Sequence, residues 1–352
     1  MTQEREDTHQ MRLLITGATG FIGSRLALHA HRIGIDVVAT GRAELDVERE
    51  RLRELRTAGV AIAEGVLQDA ALVRSLLGGR NTVIHLAAAQ HESEMPAAYY
   101  RATNVELVRS LLDQCSAAHI ERFVYGSTMG VYGDGTGEPL DEASSVNPDN
   151  VYTRTKLEAE SLVRAHAQEF ATCVIRIAET YGPGDQRLLK LFRAIDRGQF
   201  FMIGTGNNRR QCIHVDDLVR GLLLAARHPA AAGETFILAG REVMTTRQMV
   251  ERIAVALGRR TPRMQLPMWP FQAAASVMET ALPPLRIQPP LHSRRLDFFR
   301  KSFVFSIAKA RRLLAFQPEI DFGAGARDTA HWYRARGLLP HAAREMARTE
   351  SA

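Results

Sequence analysis

Residues 12–23, Arg12-Leu13-Leu14-Ile15-Thr16-Gly17-Ala18-Thr19-Gly20-Phe21-Ile22-Gly23, determine the fold of this chain. The first five residues form a short apolar run that predicts a buried strand. Three glycines follow at once, and apolar residues then recur at helical spacing from Leu26 to Ala30. Glycines at a strand-to-helix turn let the backbone approach a pyrophosphate closely, and the helix N-terminus supplies free N–H groups. The pattern predicts a dinucleotide-binding turn, although its glycine spacing is three and three rather than two and three.

Apolar runs alternate with helical patterns along the first half of the chain. The predicted strands are residues 12–16, 35–39, 60–63, 82–86, 121–126 and 172–177, with a further strand at 235–239. Repeated strand-helix-strand units imply a parallel sheet covered by helices on both faces. We therefore predict an α/β fold, a Rossmann-type doubly wound parallel sheet with a smaller C-terminal substrate-binding lobe.

The change of pattern after Pro183 sets the predicted domain boundaries. Prolines interrupt any long helix in the region from 262 to 290. The predicted Rossmann domain comprises 11–182 plus 208–240, and the predicted lobe 183–207 plus 241–337. We expect residues 1–10 to be a disordered tail and 338–352 to be a second tail.

Composition limits the classes of function. The net charge of +6 comes mostly from scattered arginines, which indicates a solvated surface rather than a nucleic-acid interface. The chain has three cysteines, an odd number, and they lie far apart at Cys115, Cys173 and Cys212. This pattern predicts reduced thiols in a cytoplasmic protein and no metal site. The chain contains no run of about eighteen apolar residues, so no membrane span is predicted. The apolar segment 266–285 predicts a helix that packs on the substrate pocket, and a membrane-surface contact is the second interpretation.

Tyr152 and Lys156 form the second informative motif. Lysine is rare in this chain, occurring only at 156, 190, 301 and 309. On a helix, residues four apart share a face, so phenol and ammonium would point into one space. We expect the ammonium to lower the pKa of the tyrosine from its usual value of about 10 and to make it a usable acid or base.

Together these motifs resemble the extended short-chain dehydrogenase/reductases, which include nucleotide-sugar epimerases and dehydratases and 3β-hydroxysteroid dehydrogenase-like enzymes. The resemblance runs from about residue 12 to about residue 337. Further matching landmarks are Val83-Ile84-His85-Leu86-Ala87-Ala88, Asn104-Val105, Gly126-Ser127-Thr128, Val131-Tyr132-Gly133, Tyr181-Gly182-Pro183-Gly184 and Ile213-His214-Val215-Asp216-Asp217.

The resemblance implies roles for individual residues. Tyr152 would be the acid/base, Lys156 would also bind the nicotinamide ribose, and Thr128 would be the catalytic hydroxyl, with Ser127 as the alternative one residue away. The resemblance also suggests a homodimer through a four-helix interface. The implied cofactor contacts are Gly17, Gly20, Phe21, Ile22, Gly23, Arg42, Leu67, Leu86, Ala87, Ala88, Asn104, Tyr152 and Lys156.

Arg42 decides the expected cofactor. NAD-binding members carry a carboxylate for the adenosine ribose at the end of the second strand, whereas this chain has Arg42 there. An arginine offers a 2′-phosphate a charge-assisted partner. We expect NADP, with NAD as a possible second cofactor. Val66 stands where the family usually has an aspartate for the adenine.

The expected substrate contacts are Ser127, Met129, Glu179 and Arg210. The dehydratases of the family carry an acidic pair where this chain has Met129 and Gly130, which disfavours dehydration. Glu179 replaces the asparagine of nucleotide-sugar enzymes and would repel a diphosphate unless it pairs with an arginine. Arg210, by contrast, matches a phosphate-contacting position in those enzymes.

Apolar residues of the lobe favour a hydrophobic or ring-containing small molecule as substrate. The candidates for the pocket, or for the lobe's own core, are Leu266, Met268, Trp269, Phe271, Met278, Phe298 and Phe299. We predict an oxidoreductase acting on a secondary alcohol or ketone. The alternatives are a nucleotide-sugar epimerase and, third, a non-catalytic cofactor-sensing protein.

Overall fold

A computed structural model describes residues 11–90, 95–135, 138–281 and 293–340. The predicted tail at 1–10 and most of the one at 338–352 lie outside these residues. Within them the strands are β1 (Arg12–Thr16), β2 (Asp36–Gly41), β3 (Ala61–Glu64), β4 (Thr82–His85), β5 (Arg122–Thr128), β6 (Ala171–Ile177), β7 (Thr180–Tyr181), β8 (Met202–Ile203), β9 (Arg209–Arg210), β10 (Ile213–His214), β11 (Glu234–Leu238), β12 (Met244–Thr245) and β13 (Gln265–Leu266).

Helices connect these strands and cover the sheet. They are α1 (Phe21–Arg32), α2 (Asp46–Thr57), α3 (Ala70–Leu77), α4 (Ala97–Arg101), α5 (Leu107–Ala117), α6 (Val151–Ala165), α7 (Leu189–Asp196), α8 (Val215–Arg227), α9 (Thr246–Leu257), α10 (Trp269–Ala281), α11 (Ser293–Arg300), α12 (Ala308–Leu314) and α13 (Phe322–Ala335). A π-helical turn, Ala102–Glu106, joins α4 to α5. Across the described ranges, no helix combines the length and apolar character that a membrane span requires.

Seven strands form one parallel sheet in the order β11-β6-β5-β4-β1-β2-β3. The predicted strands each begin and end within two residues of the observed ones. The strand predicted at 235–239 is β11, which extends the sheet beside β6. The predicted Rossmann-type sheet is therefore confirmed.

The alternation of side chains in β1 explains the two helical layers. Leu13 and Ile15 point into the cluster that packs α1 and α8 against the sheet. Leu14 points to the other face, where α3, α5 and α6 cover it. Successive side chains of a strand face opposite ways, so an unbroken apolar run is what a strand covered on both faces requires.

A second apolar cluster packs around α7, α9 and α13. Phe192, Ile253 and Tyr333 are its buried centre, one from each helix. This cluster lies within the predicted lobe and the segments next to it. The division of the chain at 182, 207, 240 and 337 stays a prediction.

Candidate active site

The glycine turn between β1 and α1 is packed too tightly for side chains. Gly17 has φ 71°, and a Cβ there would lie 2.6 Å from the Ala87 nitrogen. A Cβ on Gly20 would come within 3.0 Å of the Gly17 carbonyl oxygen, and one on Gly23 would overlap it. These three glycines therefore keep the end of β1, the start of α1 and the chain after β4 in direct backbone contact.

The N-terminus of α1 offers free donors to the adjacent cleft. Gly20 precedes the helix without a side-chain cap, and the first intrahelical bond runs from the Ser24 nitrogen to the Gly20 carbonyl at 3.1 Å. The N–H groups of Phe21, Ile22 and Gly23 thus have no partner within the helix. Such groups, with the helix dipole behind them, bind phosphate oxygens. The turn fits the pyrophosphate of a dinucleotide.

A cleft of about 620 Å³ opens at the carboxyl ends of the central strands. This is the edge at which open α/β sheets bind ligands. The predicted site residues that line the cleft are Gly17, Gly20, Phe21, Ile22, Gly23, Leu86, Ala88, Ser127, Thr128, Met129, Tyr152, Lys156, Glu179 and Arg210. The cleft therefore joins the glycine turn to the predicted reacting centre.

Four predicted cofactor contacts lie outside the lining of this cleft. Ala87 touches the glycine turn through its backbone, and Leu67 packs against the apolar cluster on the α3 and α5 face. Arg42 follows β2 directly, with one guanidinium nitrogen 3.4 Å from the Tyr99 hydroxyl and 3.8 Å from Glu44. The roles of these residues toward a cofactor stay predictions.

Asn104, the fourth, is buried in the π-helical turn. Its amide accepts from the Ala89 nitrogen at 2.8 Å and donates to the Ala89 carbonyl and the Thr155 hydroxyl, both at 3.0 Å. These bonds fasten the chain after β4 to α6. The observed contacts of Asn104 therefore position α6 beside the cleft.

The start of α6 sets the position of Tyr152. Asn150 caps the helix by accepting from the Thr153 nitrogen at 3.1 Å, and the Thr153 hydroxyl lies 3.3 Å from the Asn150 nitrogen. Tyr152 follows in the first turn, and its hydroxyl is hydrogen-bonded to Thr128 at the end of β5. Lys156 lies one turn further along the same face. The three residues predicted to act together, Thr128, Tyr152 and Lys156, thus line one cleft.

The expected lowering of the Tyr152 pKa is wrong for this structure. Burial raises the pKa of Tyr152 to about 12, against the opposing effects of Arg187 and of the hydrogen bond with Thr128. The cation that acts on the phenol is Arg187, because the Lys156 amine is directed toward another ring. Tyr152 is therefore held as a neutral phenol near pH 7.

Lys156 is only 2% exposed. Its amine lies over the Tyr125 ring, 4.1 Å from the centroid. Burial lowers the pKa of Lys156 to about 7, with the Glu160 carboxylate opposing the shift. A lysine with this pKa is partly neutral at physiological pH, which an arginine at the same position would not be.

Ser127 is committed to a buried network. Its hydroxyl donates to Glu160 at 2.5 Å, and Arg176 donates to the same carboxylate at 2.9 and 3.2 Å. Arg164 adds a third cationic contact at 3.1 Å. The geometry therefore favours Thr128 over Ser127 as the hydroxyl beside Tyr152.

Glu179 and Arg210 form an ion pair in the lining of the cleft. The nearby Asp185 and Arg187 form a second pair, with 3.1 Å between carboxylate oxygen and Nε. Sequence reasoning missed Asp185 and Arg187, although they follow directly after the Tyr-Gly-Pro-Gly landmark. It also missed other charged residues that line the cleft, namely Arg51, Asp297 and Lys301.

The apolar residues assigned to the lobe pack mainly outside the cleft. Of the seven candidates, Phe298 alone lines it, joined by Phe303. Met268, Phe271 and Phe299 pack in a small cluster around Ile203, Ala275 and Leu296, and Trp269 is 71% exposed. Of the two interpretations left open for these residues, packing within the lobe's own core therefore describes Met268, Phe271 and Phe299.

Fold and site together define an extended short-chain dehydrogenase/reductase, an NAD(P)-dependent enzyme. The model of the NAD dependent epimerase/dehydratase family matches residues 13–239. The chain belongs to this family. The match spans the glycine turn, Tyr152 and Lys156.

The chain is similar over nearly its whole length to several named proteins. The chain is 26% identical to short-chain dehydrogenase/reductase family 42E member 1 of Xenopus laevis, covering 92% of this chain and 88% of the relative. It is 29% identical to a dTDP-glucose 4,6-dehydratase of Streptomyces niveus, covering 92% and 93%. A solved structure, MoeE5 in complex with UDP-glucose and NAD, is 26% identical with a TM-score of 0.72 and covers 93% of this chain and 99% of its own.

Proposed function

We propose that the protein is an oxidoreductase that interconverts a secondary alcohol and its ketone, with Tyr152 as the acid/base. The observation that carries this proposal is the contact of the Tyr152 phenol with Thr128 in the cleft that also contains the glycine turn. Phe298 and Phe303, which line the same cleft, are suited to pack against a ring of the substrate.

The glycine turn and the N-terminus of α1 would hold the cofactor pyrophosphate, and Lys156 the nicotinamide ribose. The bound nicotinamide supplies or accepts the hydride. The protein's own residues act on the proton. Thr128 orients the substrate oxygen by a hydrogen bond, and Tyr152 gives that oxygen a proton or takes one from it.

The neutral form of Tyr152 is the one that can give a proton to the substrate oxygen. With a pKa of about 12 the phenol is neutral at pH 7. A neutral phenol is the form that donates a proton to the oxygen of a ketone as it becomes an alcohol. Oxidation of an alcohol needs the phenolate instead, which burial disfavours.

Replacement of Tyr152 by phenylalanine tests the proposal. We expect turnover to fall by about 10²–10⁴-fold, the usual contribution of a positioned acid or base, while the cofactor Kd stays nearly unchanged. The measurement is the absorbance change at 340 nm with a panel of ketones and reduced cofactor. Tyr181→Phe is the matched control, because its hydroxyl lies 3.4 Å from the Asp321 carbonyl oxygen and Tyr181 does not line the cleft. Turnover in Tyr152→Phe equal to that of the control would refute the proposed role.

We propose a preference for NADP(H), with Arg42 as its determinant. Arg42 stands directly after β2, where an acid would repel a 2′-phosphate. Arg42→Ala is expected to lower kcat/KM with NADPH by about tenfold or more, the loss of one charge-assisted contact, and to change that with NADH little. A wild-type preference for NADH would contradict this assignment.

The second candidate is a nucleotide-sugar epimerase, which the nucleotide sugar in the related MoeE5 complex supports. An epimerase returns the hydride to its substrate and shows no net change at 340 nm. Conversion of a UDP-sugar with catalytic cofactor would favour this candidate. Cofactor binding without turnover on either panel would favour the third, a non-catalytic sensor.

A further inference from the structure

We infer that Tyr125 is a positioning residue for Lys156: its aromatic ring holds the lysine amine where a ligand in the cleft can reach it. The inference rests on the proposed function, in which Lys156 binds the nicotinamide ribose. Tyr125 lies on β5, the strand that ends at Thr128. It is therefore close to the proposed reacting centre, although its own side chain does not line the cleft.

The Tyr125 ring is the contact that the structure gives to the Lys156 amine. The Nζ atom lies over the ring, 4.1 Å from its centroid. Among the described residues, no hydrogen bond or ion pair involves the Lys156 side chain. Lys156 also lines the cleft, so its N–H groups stay available to a ligand there. The negative face of an aromatic ring attracts a cation, most strongly where water is excluded.

The position of the Tyr125 ring is set by the sheet. The side chain is fully buried on the face that α5 and α6 cover. Its ring stacks on His85 of β4, with centroids 5.9 Å apart, and Phe123 stacks on the same histidine at 6.0 Å. His85 is itself fixed, because its Nδ1 lies 2.8 Å from the Thr16 hydroxyl of β1. A row of packed side chains across three strands therefore places the ring before any ligand binds.

The ring of Tyr125, rather than its hydroxyl, makes the contact. In the part of the chain that the structure describes, the buried Tyr125 hydroxyl has no hydrogen-bond partner. Burial raises the pKa of Tyr125 well above its usual value, so no phenolate forms an ion pair with the lysine. Phenylalanine would supply the same ring face without the cost of a buried hydroxyl that lacks a partner.

The groups around the Lys156 amine leave the ring as its support on the sheet side. On α6, the Glu160 carboxylate favours the ammonium through its field, but it is hydrogen-bonded to Ser127 and Arg176. Tyr152 is a neutral phenol near pH 7. His85 is uncharged, because burial and the nearby lysine lower its pKa to about 3. The Tyr125 ring is therefore what stabilises the ammonium from the direction of β4 and β5.

Three variants separate the ring from its hydroxyl and from the packing of the core. Tyr125→Leu removes the ring and Tyr125→Phe keeps it. Phe123→Leu is the matched control, because it removes a buried ring that stacks on the same histidine. Fluorescence titration gives the Kd of NADPH or NADH, whichever the wild type binds more tightly. We expect Tyr125→Leu to raise this Kd about three- to tenfold, as for partial loss of a charge-assisted contact, and the other two variants to stay close to the wild type.

The second readout is the pH dependence of stability, which a purely structural defect would not shift. Urea unfolding locates the pH at which the free energy of unfolding begins to rise, near the pKa of Lys156 in the folded protein, about 7. Loss of the ring disfavours the ammonium, so Tyr125→Leu should lower this onset by about 0.5–1.5 pH units. The same variants combined with Lys156→Met show which part of the pH dependence belongs to this amine.

A Kd in Tyr125→Leu no higher than in Phe123→Leu would overturn the inference, and so would an onset that is unchanged or higher. Loss of the wild-type values in Tyr125→Phe would do the same, because it would assign the effect to the hydroxyl. If Tyr125→Leu does not fold, Tyr125→Met and Phe123→Met replace the two leucine variants. Neither readout measures turnover, whereas the proposed function fails if Tyr152→Phe turns over like its own control.

Discussion

Tyr152 and Lys156 lie one turn apart on α6, and burial shifts their pKa values in opposite directions. The pKa of the phenol rises to about 12 and that of the amine falls to about 7. In both cases the uncharged form is the one that burial favours. The spacing of the two residues was readable from the sequence. Their protonation was not, because it depends on how deeply each group lies and on Arg187 and Glu160.

The depressed pKa of Lys156 predicts how stability depends on pH. Between about pH 7 and 10 the unfolded chain holds a proton on this amine that the folded protein releases. The free energy of unfolding should therefore rise with pH, by up to about 1.4 kcal/mol per unit, relative to a Lys156→Met variant. Urea unfolding at pH 7 and 9 measures this. Lys190→Met, at an exposed site, should follow the wild type; equal pH dependence in Lys156→Met and wild type would contradict the shift.

At the scale of elements, the turn from β1 into α1 is where we propose that the cofactor pyrophosphate binds. The apolar run and the glycine positions predicted the strand, the turn and the helix. Sequence reasoning did not predict that Arg51 of α2 would donate to the Thr19 carbonyl at 3.2 Å and to the Gly184 carbonyl at 2.7 Å. An arginine on a polar helix carries no local signal of such a contact, because the partners are distant in the chain.

Substitution of Gly17 tests the packing of this turn. Gly17→Ala places a Cβ 2.6 Å from the Ala87 nitrogen and also strains a positive φ. Gly34→Ala is the matched control, since Gly34 has φ 84° but open space around it. We expect the control to lose about 1–2 kcal/mol of stability from strain alone and to bind cofactor normally. Gly17→Ala should lose more stability and most of its cofactor affinity, and equal behaviour of the two would contradict the close approach.

At the scale of the whole molecule, the sheet could be predicted from the sequence, whereas the residues of the lobe that line the cleft could not. Alternating apolar runs dictate a parallel sheet because both of its faces must be covered. The lobe has no such periodicity, so the sequence left its aromatic residues open between the pocket and the lobe's own core. In the structure Phe271 and Phe299 pack in the small cluster of the lobe, and Phe298 lines the cleft. The homodimer and the cytoplasmic location stay predictions.

Lys301 links distant parts of the chain across the cleft. It contacts Asp297 on α11, Asp149 before α6 and Asp134 after β5, and its own side chain is 10% exposed. We expect Lys301→Met to lower the free energy of unfolding by about 1–3 kcal/mol, less than for a fully buried pair because the aspartates are partly solvated. Arg300→Met, which removes a half-exposed neighbour, should cost less than about 1 kcal/mol. If urea unfolding shows the same loss of unfolding free energy in Lys301→Met and Arg300→Met, the contacts of Lys301 do not stabilise the fold more than those of its neighbour.

The central claim is that the Tyr152 phenol faces the reactive carbon of a bound pyridine nucleotide. A crystal structure of the protein with NADP measures this directly. We expect the pyrophosphate at the N-terminus of α1 and the nicotinamide ring opposite the Tyr152 hydroxyl, with space between ring and hydroxyl for the alcohol carbon of one substrate molecule. A nicotinamide held away from Tyr152 and Thr128, on the far side of the cleft or outside it, would contradict the account.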